Sequence, residues 1–300
     1  MECAWKEIYS FDKILEMLKI LRTILTHPCL KPFRTFVATL LSKSNIVLCA
    51  NLHTGQKLQV DLASTVGRSI YLRGSYEPDV ENILSRTLKE GDIFLDVGAN
   101  VGYFSIVSSK LVGESGCVYS FEPSPRICRL LTISSKKNRL NNITIVPFAL
   151  SNISSTVLFK DLHSSGFSYI ESGRASEESD VFDRNRKNST ELNIGTVRLD
   201  DYVRKNIAKP VKAIKIDVEG YELKVLAGAK EVISSYLPSV IIEVFPLALK
   251  RYGTVPHDIF NFFKDFGYIG YDVMTKRKVD HDFIKVTEGY YNLFFEATHR

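Results

Sequence analysis

Between residues 78 and 150 the hydrophobic period of the chain switches repeatedly from helical to extended and back, which limits the architecture more than any other feature. Helical spacing over about 78–89 is followed by extended "DIFLDV", helical "GYFSIVSSKLV", extended "CVYSFE", helical "SPRICRLLTISSKKNRL" and extended "ITIVPFAL". Strands separated by helices of this length build βαβ units, in which the strands run parallel and helices cover both faces of the sheet. An α/β, Rossmann-like fold is therefore expected.

After Leu150 the extended stretches "STVLFKD" and "TVRLDDYV" flank a polar segment, 172–193, that reads as a surface loop or a lid. The alternation then resumes with strand "VKAIKIDV", a helix over 221–236, strand "SVIIEVF", a helix near 258–266 and strands "YIGYDV" and "YYNLFFEA". Upstream, "NIVLCANLHTGQKLQVDL" reads as a hairpin turning at Gly55. Ile14, Leu15, Leu18, Leu21, Ile24 and Leu25 give residues 11–25 the spacing of an amphipathic helix. Its apolar face is expected to pack on its own domain or on a second copy in a homodimer, since its polar face mixes both signs rather than forming a basic membrane-binding stripe. Residues 1–60 are accordingly read as a helical and hairpin extension, and 61–300 as the main domain.

The 300 residues suffice for a large core, and charge excludes little: a net +5 is mild, with Lys and Arg scattered, so no nucleic-acid footprint is expected. Lys19, Arg22, His27, Lys31, Arg34 and Lys43 interrupt the apolar N-terminal stretches before the roughly eighteen residues a spanning helix needs, so neither a spanning segment nor a signal peptide is expected. Five cysteines without CxxC or Cys/His spacing favour a reducing cytoplasm over a disulfide framework or a zinc site.

The stretch "GDIFLDVGANVGYFS" places Gly98 where a buried strand must turn into a helix, and in parallel sheets ligands sit beyond that carboxyl edge. A dinucleotide fingerprint fails there, because Asn100 and Tyr103 stand where the second and third glycines belong, and no P-loop lysine follows. The next strand ends in Glu122, whose carboxylate suits the hydroxyls of an unmodified ribose. A nucleoside cofactor without a pyrophosphate, S-adenosylmethionine, fits this pair; a turn kept only for packing is the alternative.

The ordered blocks "GSYEPDVENIL", "GDIFLDVGANVGYFS", "SFEPSP", "PFALSN", "VRLDDYV", "IKIDVEGYELKVLAGA" and "VIIEV" resemble the FkbM-type methyltransferases dependent on S-adenosylmethionine. The resemblance implies the class I methyltransferase fold, a seven-stranded, mostly parallel sheet whose final strand runs antiparallel. It also implies that Asp96, Gly98, Asn100 and Gly102 surround the methionine part of the cofactor, Glu122 the ribose, and Phe148 and Ala149 the adenine edge. Tyr76 and Glu77 would close the methionine side, or simply form a turn and helix start before Pro78.

The strands "AIKIDVEG" and "VIIEV" bring Asp217, Glu219 and Glu243 to the same carboxyl edge. Asp217 and Glu219 are the expected catalytic pair, as general base or positioning groups. Two alternatives stay open: a divalent metal held by these acids, and structural roles in which Asp217 bonds the cofactor and Glu219 caps the following helix. His163 and His257 are weaker base candidates. No Asn/Asp-Pro-Pro-aromatic segment and no nucleophilic cysteine stands near "DVEG", so an oxygen acceptor, in a sugar or another small molecule, is favoured. A catalytically silent cofactor-binding scaffold and an NAD-dependent oxidoreductase are the competing functions.

Overall fold

The computed structural model describes residues 41, 46–162, 168–171, 189–280, 283–284 and 289–298. The helix expected over 11–25, most of the 172–193 loop and His163 lie outside the described residues. Among those described, no helix is long and apolar enough to cross a membrane.

Strands β1 (Val47–Asn51) and β2 (Lys57–Asp61) form the expected antiparallel hairpin. Its outer edge is tied to helix α4 (Pro125–Lys137), since the Gln59 N–H donates to Ser134 Oγ at 2.8 Å and the Lys57 N–H to Asn138 Oδ1 at 2.7 Å. Helix α1 (Thr65–Arg73) follows, with Ser64 as its N-cap accepting from the Gly67 N–H. Helix α2 (Pro78–Thr87) starts on a proline, which costs nothing in the first turn.

The main sheet comprises β3 (Ile93–Val97), β4 (Cys117–Phe121), β5 (Ile143–Val146), β10 (Val211–Ile216), β11 (Ser239–Val244), β12 (Tyr268–Asp272) and β13 (Tyr291–Ala297). Their order is β12-β13-β11-β10-β3-β4-β5. The final strand β13 runs antiparallel to both β11 and β12, and the pairs among β5, β4, β3, β10 and β11 are parallel, as the resemblance implies. Strand β3 is buried throughout because each face meets its own core. Leu95 and Val97 pack with Val203, Leu226 and Phe263 on one side, and Phe94 packs with Leu84, Phe104 and Leu131 on the other.

Three readings of the sequence need correction. "ITIVPFAL" is not one strand: β5 ends at Val146, and β6 (Ala149–Leu150) joins a second sheet of order β6-β9-β7-β8, with β7 (Ser155–Leu162), β8 (Tyr169–Ile170) and β9 (Ser189–Val197). The end of the polar loop, Ser189–Asn193, therefore lies in β9. "TVRLDDYV" is extended only at Thr196 and Val197, and Leu199–Asn206 forms helix α5, because Leu199 and Val203 bury one face at i, i+4 spacing. The helix expected over 221–236 breaks at Gly228 into α6 (Glu222–Ala227) and α7 (Lys230–Tyr236), the Asp200 carboxylate accepting the Val232 N–H. Helices α3 (Tyr103–Val112), α8 (Pro246–Lys250) and α9 (Pro256–Asp265) complete the layers.

Candidate active site

A cavity of about 1270 Å³ opens beyond the carboxyl edge of the sheet. Of the residues singled out in the sequence, Asp96, Gly98, Asn100, Glu122, Phe148, Ala149, Glu77, Asp217 and Glu219 all line it. Gly102 does not: it begins α3 at φ +86°, and an added Cβ would stand 2.1 Å from Leu131 Cδ1. His257 lies in the first turn of α9, away from the lining.

The turn after β3 is dictated by the protein's own packing. Gly98 sits at φ +77°, and a Cβ there would fall 1.9 Å from the backbone oxygen of Asp217. Glycine is needed because two strand ends converge to within van der Waals contact. The N–H groups of Gly98 and Ala99 both donate to the Phe121 carbonyl at 3.0 Å, which holds the turn beside the end of β4.

One residue past β4, Glu122 is 7% exposed and accepts backbone N–H groups from Asn100 at 2.9 Å and Ser124 at 2.8 Å. Burial dominates these two bonds and lifts its carboxyl to about 7. Each oxygen of a carboxylate accepts more than one bond, so Glu122 keeps capacity toward the cavity. The exposed ring of Phe148 stands close to Gly195 of β9 and forms a rim between the two sheets.

The other half of the cavity is built by strand register. Asp96 of β3 lies level with Lys215 of β10, and Lys215 with Ile241 of β11. Two residues further along the chain come Gly98 and Asp217, each just past its strand end, and Glu243 of β11, which is level with Asn292 of β13. Asp96 is almost fully buried and accepts the Ser105 hydroxyl at 2.5 Å. Asn292 Nδ2 donates to Glu77 Oε1 at 3.3 Å, which anchors the positive-φ start of α2 to the last strand.

Lys215 and Asn292 are the residues the sequence reading missed. Lys215 is 2% exposed, its ammonium lies 2.8 Å from Asp217 Oδ2 and 4.9 Å from the centroid of Phe104. Burial acts to lower its pKa, but Asp217, Glu77 and Asp96 together outweigh burial and raise it, so the lysine stays charged. The signal available in the sequence was a lysine inside an otherwise apolar buried strand, which needs a partner.

Glu219 follows at φ +55° and is not the helix cap. The Val218 and Gly220 N–H groups instead donate to Glu222 Oε1 at 3.2 and 3.1 Å. Burial, then Asp217 and Glu243, holds the Glu219 carboxyl well above the usual range, and burial followed by Asp217 pushes Glu243 up to about 9. Among the described residues no three His, Cys, Asp or Glu side chains are grouped closely enough to hold a metal ion.

Comparison with known proteins identifies the family of the chain. The methyltransferase FkbM domain matches residues 96–269, more than half of the chain. Hexuronic acid methyltransferase AglP of Haloferax volcanii is 30% identical over 178 residues, covering 58% of this chain and 63% of AglP. A protein-L-isoaspartate O-methyltransferase of Fervidobacterium nodosum is 41% identical over 59 residues, 20% of this chain and 30% of that enzyme. The chain thus spans less than two thirds of the length of either relative. The crystal structure of methyltransferase FkbM from Methylobacillus flagellatus aligns over 76% of this chain and 52% of its own, at 15% identity and a TM-score of 0.40.

Proposed function

The chain belongs to the FkbM methyltransferase domain family, and from that membership we propose that it is an S-adenosylmethionine-dependent O-methyltransferase acting on a sugar hydroxyl. The observation that carries the reading is the placement of Glu122, with spare acceptor capacity, in the same cavity as the turn at Gly98–Asn100 and the Phe148–Ala149 rim. These residues fit a nucleoside: Glu122 would hold the ribose, Phe148 and Ala149 the adenine edge, and the Asp96, Gly98, Asn100 and Glu77 side the methionine part.

The cofactor supplies a methyl group on a positively charged sulfur, and the group passes to the acceptor oxygen as the carbon–sulfur bond breaks. The chain aligns the acceptor and takes its proton. Glu219, with its raised proton affinity, serves as base, and Asp217, fixed by Lys215, orients the hydroxyl. The choice of a sugar is supported by the hexuronic acid in the name of AglP and by the aromatic residue Tyr221, which lines the cavity beside the acids.

A titration tests the reading. S-adenosylhomocysteine is expected to bind in the micromolar range and NAD not to bind at all; the reverse would refute it.

A further inference from the structure

The lining of the cavity is out of balance with the rest of the chain. The sequence as a whole carries +5, yet Glu77, Asp96, Asp217, Glu219 and Glu243 gather in the lining around a single lysine. That lysine, Lys215, is already taken up by Asp217 at 2.8 Å. Arg126, on the cofactor side, is engaged by Asp61 at 2.9 Å and Asp161 at 3.4 Å. Arg251, which acts electrostatically on Glu219, stacks its guanidinium over Tyr169 at 3.9 Å. Arg73, the remaining cation in the lining, lies at the exposed end of α1.

Polar atoms are left over as well. Glu77 Oε2 and Asn292 Oδ1 are buried with no donor, and so is the hydroxyl of Tyr291, a residue only 8% exposed; all three residues line the cavity. A native protein rarely leaves such atoms unmet by water, an ion or a ligand, and in this lining an ammonium would meet them. Burial and the neighbouring acids raise the Glu219 carboxyl and push that of Glu243 up to about 9, the response of carboxylates that lack cations.

We infer that the acceptor bound beside these acids carries an ammonium group near the hydroxyl that receives the methyl, as an amino sugar does; this deepens the O-methyltransferase reading and rests on it. An ammonium brings three donors and one positive charge to a place short of both. The aromatic rings of Tyr221 and Tyr291 in the same lining favour a cation further. A sugar acid, the substrate in the name of AglP, would set a further carboxylate against these acids and be disfavoured, so in the charge of its acceptor this chain would depart from AglP.

The test uses the full chain loaded with S-adenosylhomocysteine at low salt and neutral pH, comparing glucosamine, glucose and glucuronic acid by calorimetry. Glucosamine is expected to bind about tenfold or more tighter than glucose, with glucuronic acid giving no signal. Measurements in two buffers of different ionisation enthalpy should show proton release on glucosamine binding. Glu243→Gln should weaken glucosamine about fivefold and leave S-adenosylhomocysteine affinity unchanged. Glucuronic acid binding as well as glucosamine, equal binding of glucosamine and glucose, no binding of any of the three, or a preference that survives both Glu243→Gln and Glu219→Gln would each overturn the inference. Failure of S-adenosylhomocysteine itself to bind would instead strike the cofactor reading on which it rests.

Discussion

The ammonium of Lys215, in β10, and the carboxylate of Asp217, the first residue past it, stand 2.8 Å apart at the boundary between the buried sheet and the cavity. The Asp217 N–H donates to the Val97 carbonyl at 3.0 Å, so the pairing with β3 that places Lys215 also fixes the first residue past the strand.

Removal of the lysine therefore leaves Asp96, Asp217 and Glu77 facing one another without a counter-charge. Lys215→Met is expected to destabilise the fold by about 3–5 kcal/mol, the usual cost of orphaning one partner of a buried pair. Urea unfolding measures it, and a loss under about 1 kcal/mol would show that the pair contributes little.

Gly98→Ala should be among the costliest single-methyl additions in the protein, because the new carbon meets the backbone oxygen of Asp217 at 1.9 Å. A loss of about 3 kcal/mol or more is expected, with weakened S-adenosylhomocysteine binding as the ends of β3 and β10 separate. Gly253→Ala is the control: φ is also positive, +68°, but nothing lies within 4 Å, so only the backbone strain of about 1 kcal/mol should appear.

Ribose hydroxyls donate best to an ionised Glu122, whose carboxyl stands at about 7. Affinity for S-adenosylhomocysteine is expected to climb between pH 6 and pH 8 and then level off. Glu122→Gln should bind about tenfold or more weakly and show no such rise. A parallel slope in both proteins would assign the effect to another group.

The raised carboxyl of Glu243 makes stability depend on pH in a definite direction. The folded protein binds the proton more tightly than the unfolded chain, so the contribution is fully present below pH 4.5 and is lost as pH rises toward 9. Glu243→Gln should flatten the fall in Tm between pH 7 and pH 9. An unchanged slope would show that Glu243 titrates as an ordinary surface carboxyl.

Much of this was legible in the sequence because two periods carry most of the fold. Short, near-continuous apolar runs between helical stretches mark the central strands, and their parallel pairing puts the acids at or just past the strand ends, Glu122, Asp217 and Glu243, at one edge without any knowledge of distances. Three things were hidden. Lys215 acquires its meaning only from register, which sets it level with Asp96 more than a hundred residues away. Asn292 reaches Glu77 across 215 residues of sequence, beyond the range of any local pattern. Helix α5 was masked because "TVRLDDYV" mixes β-branched residues with a charged first turn, and only the burial of Leu199 and Val203 on α7 decides the matter.

At Pro147 and Phe148 the backbone leaves the large sheet, builds the small one from β6 to β9, and returns at Arg198 to start α5. The covering layer is thus a single contiguous passage with one exit and one re-entry, like a cassette. Exchange of this one stretch would remodel the rim at Phe148 and Ala149 and the cover beyond it, while the turn at Gly98 and the acids at 122, 217 and 243 stay anchored on the large sheet.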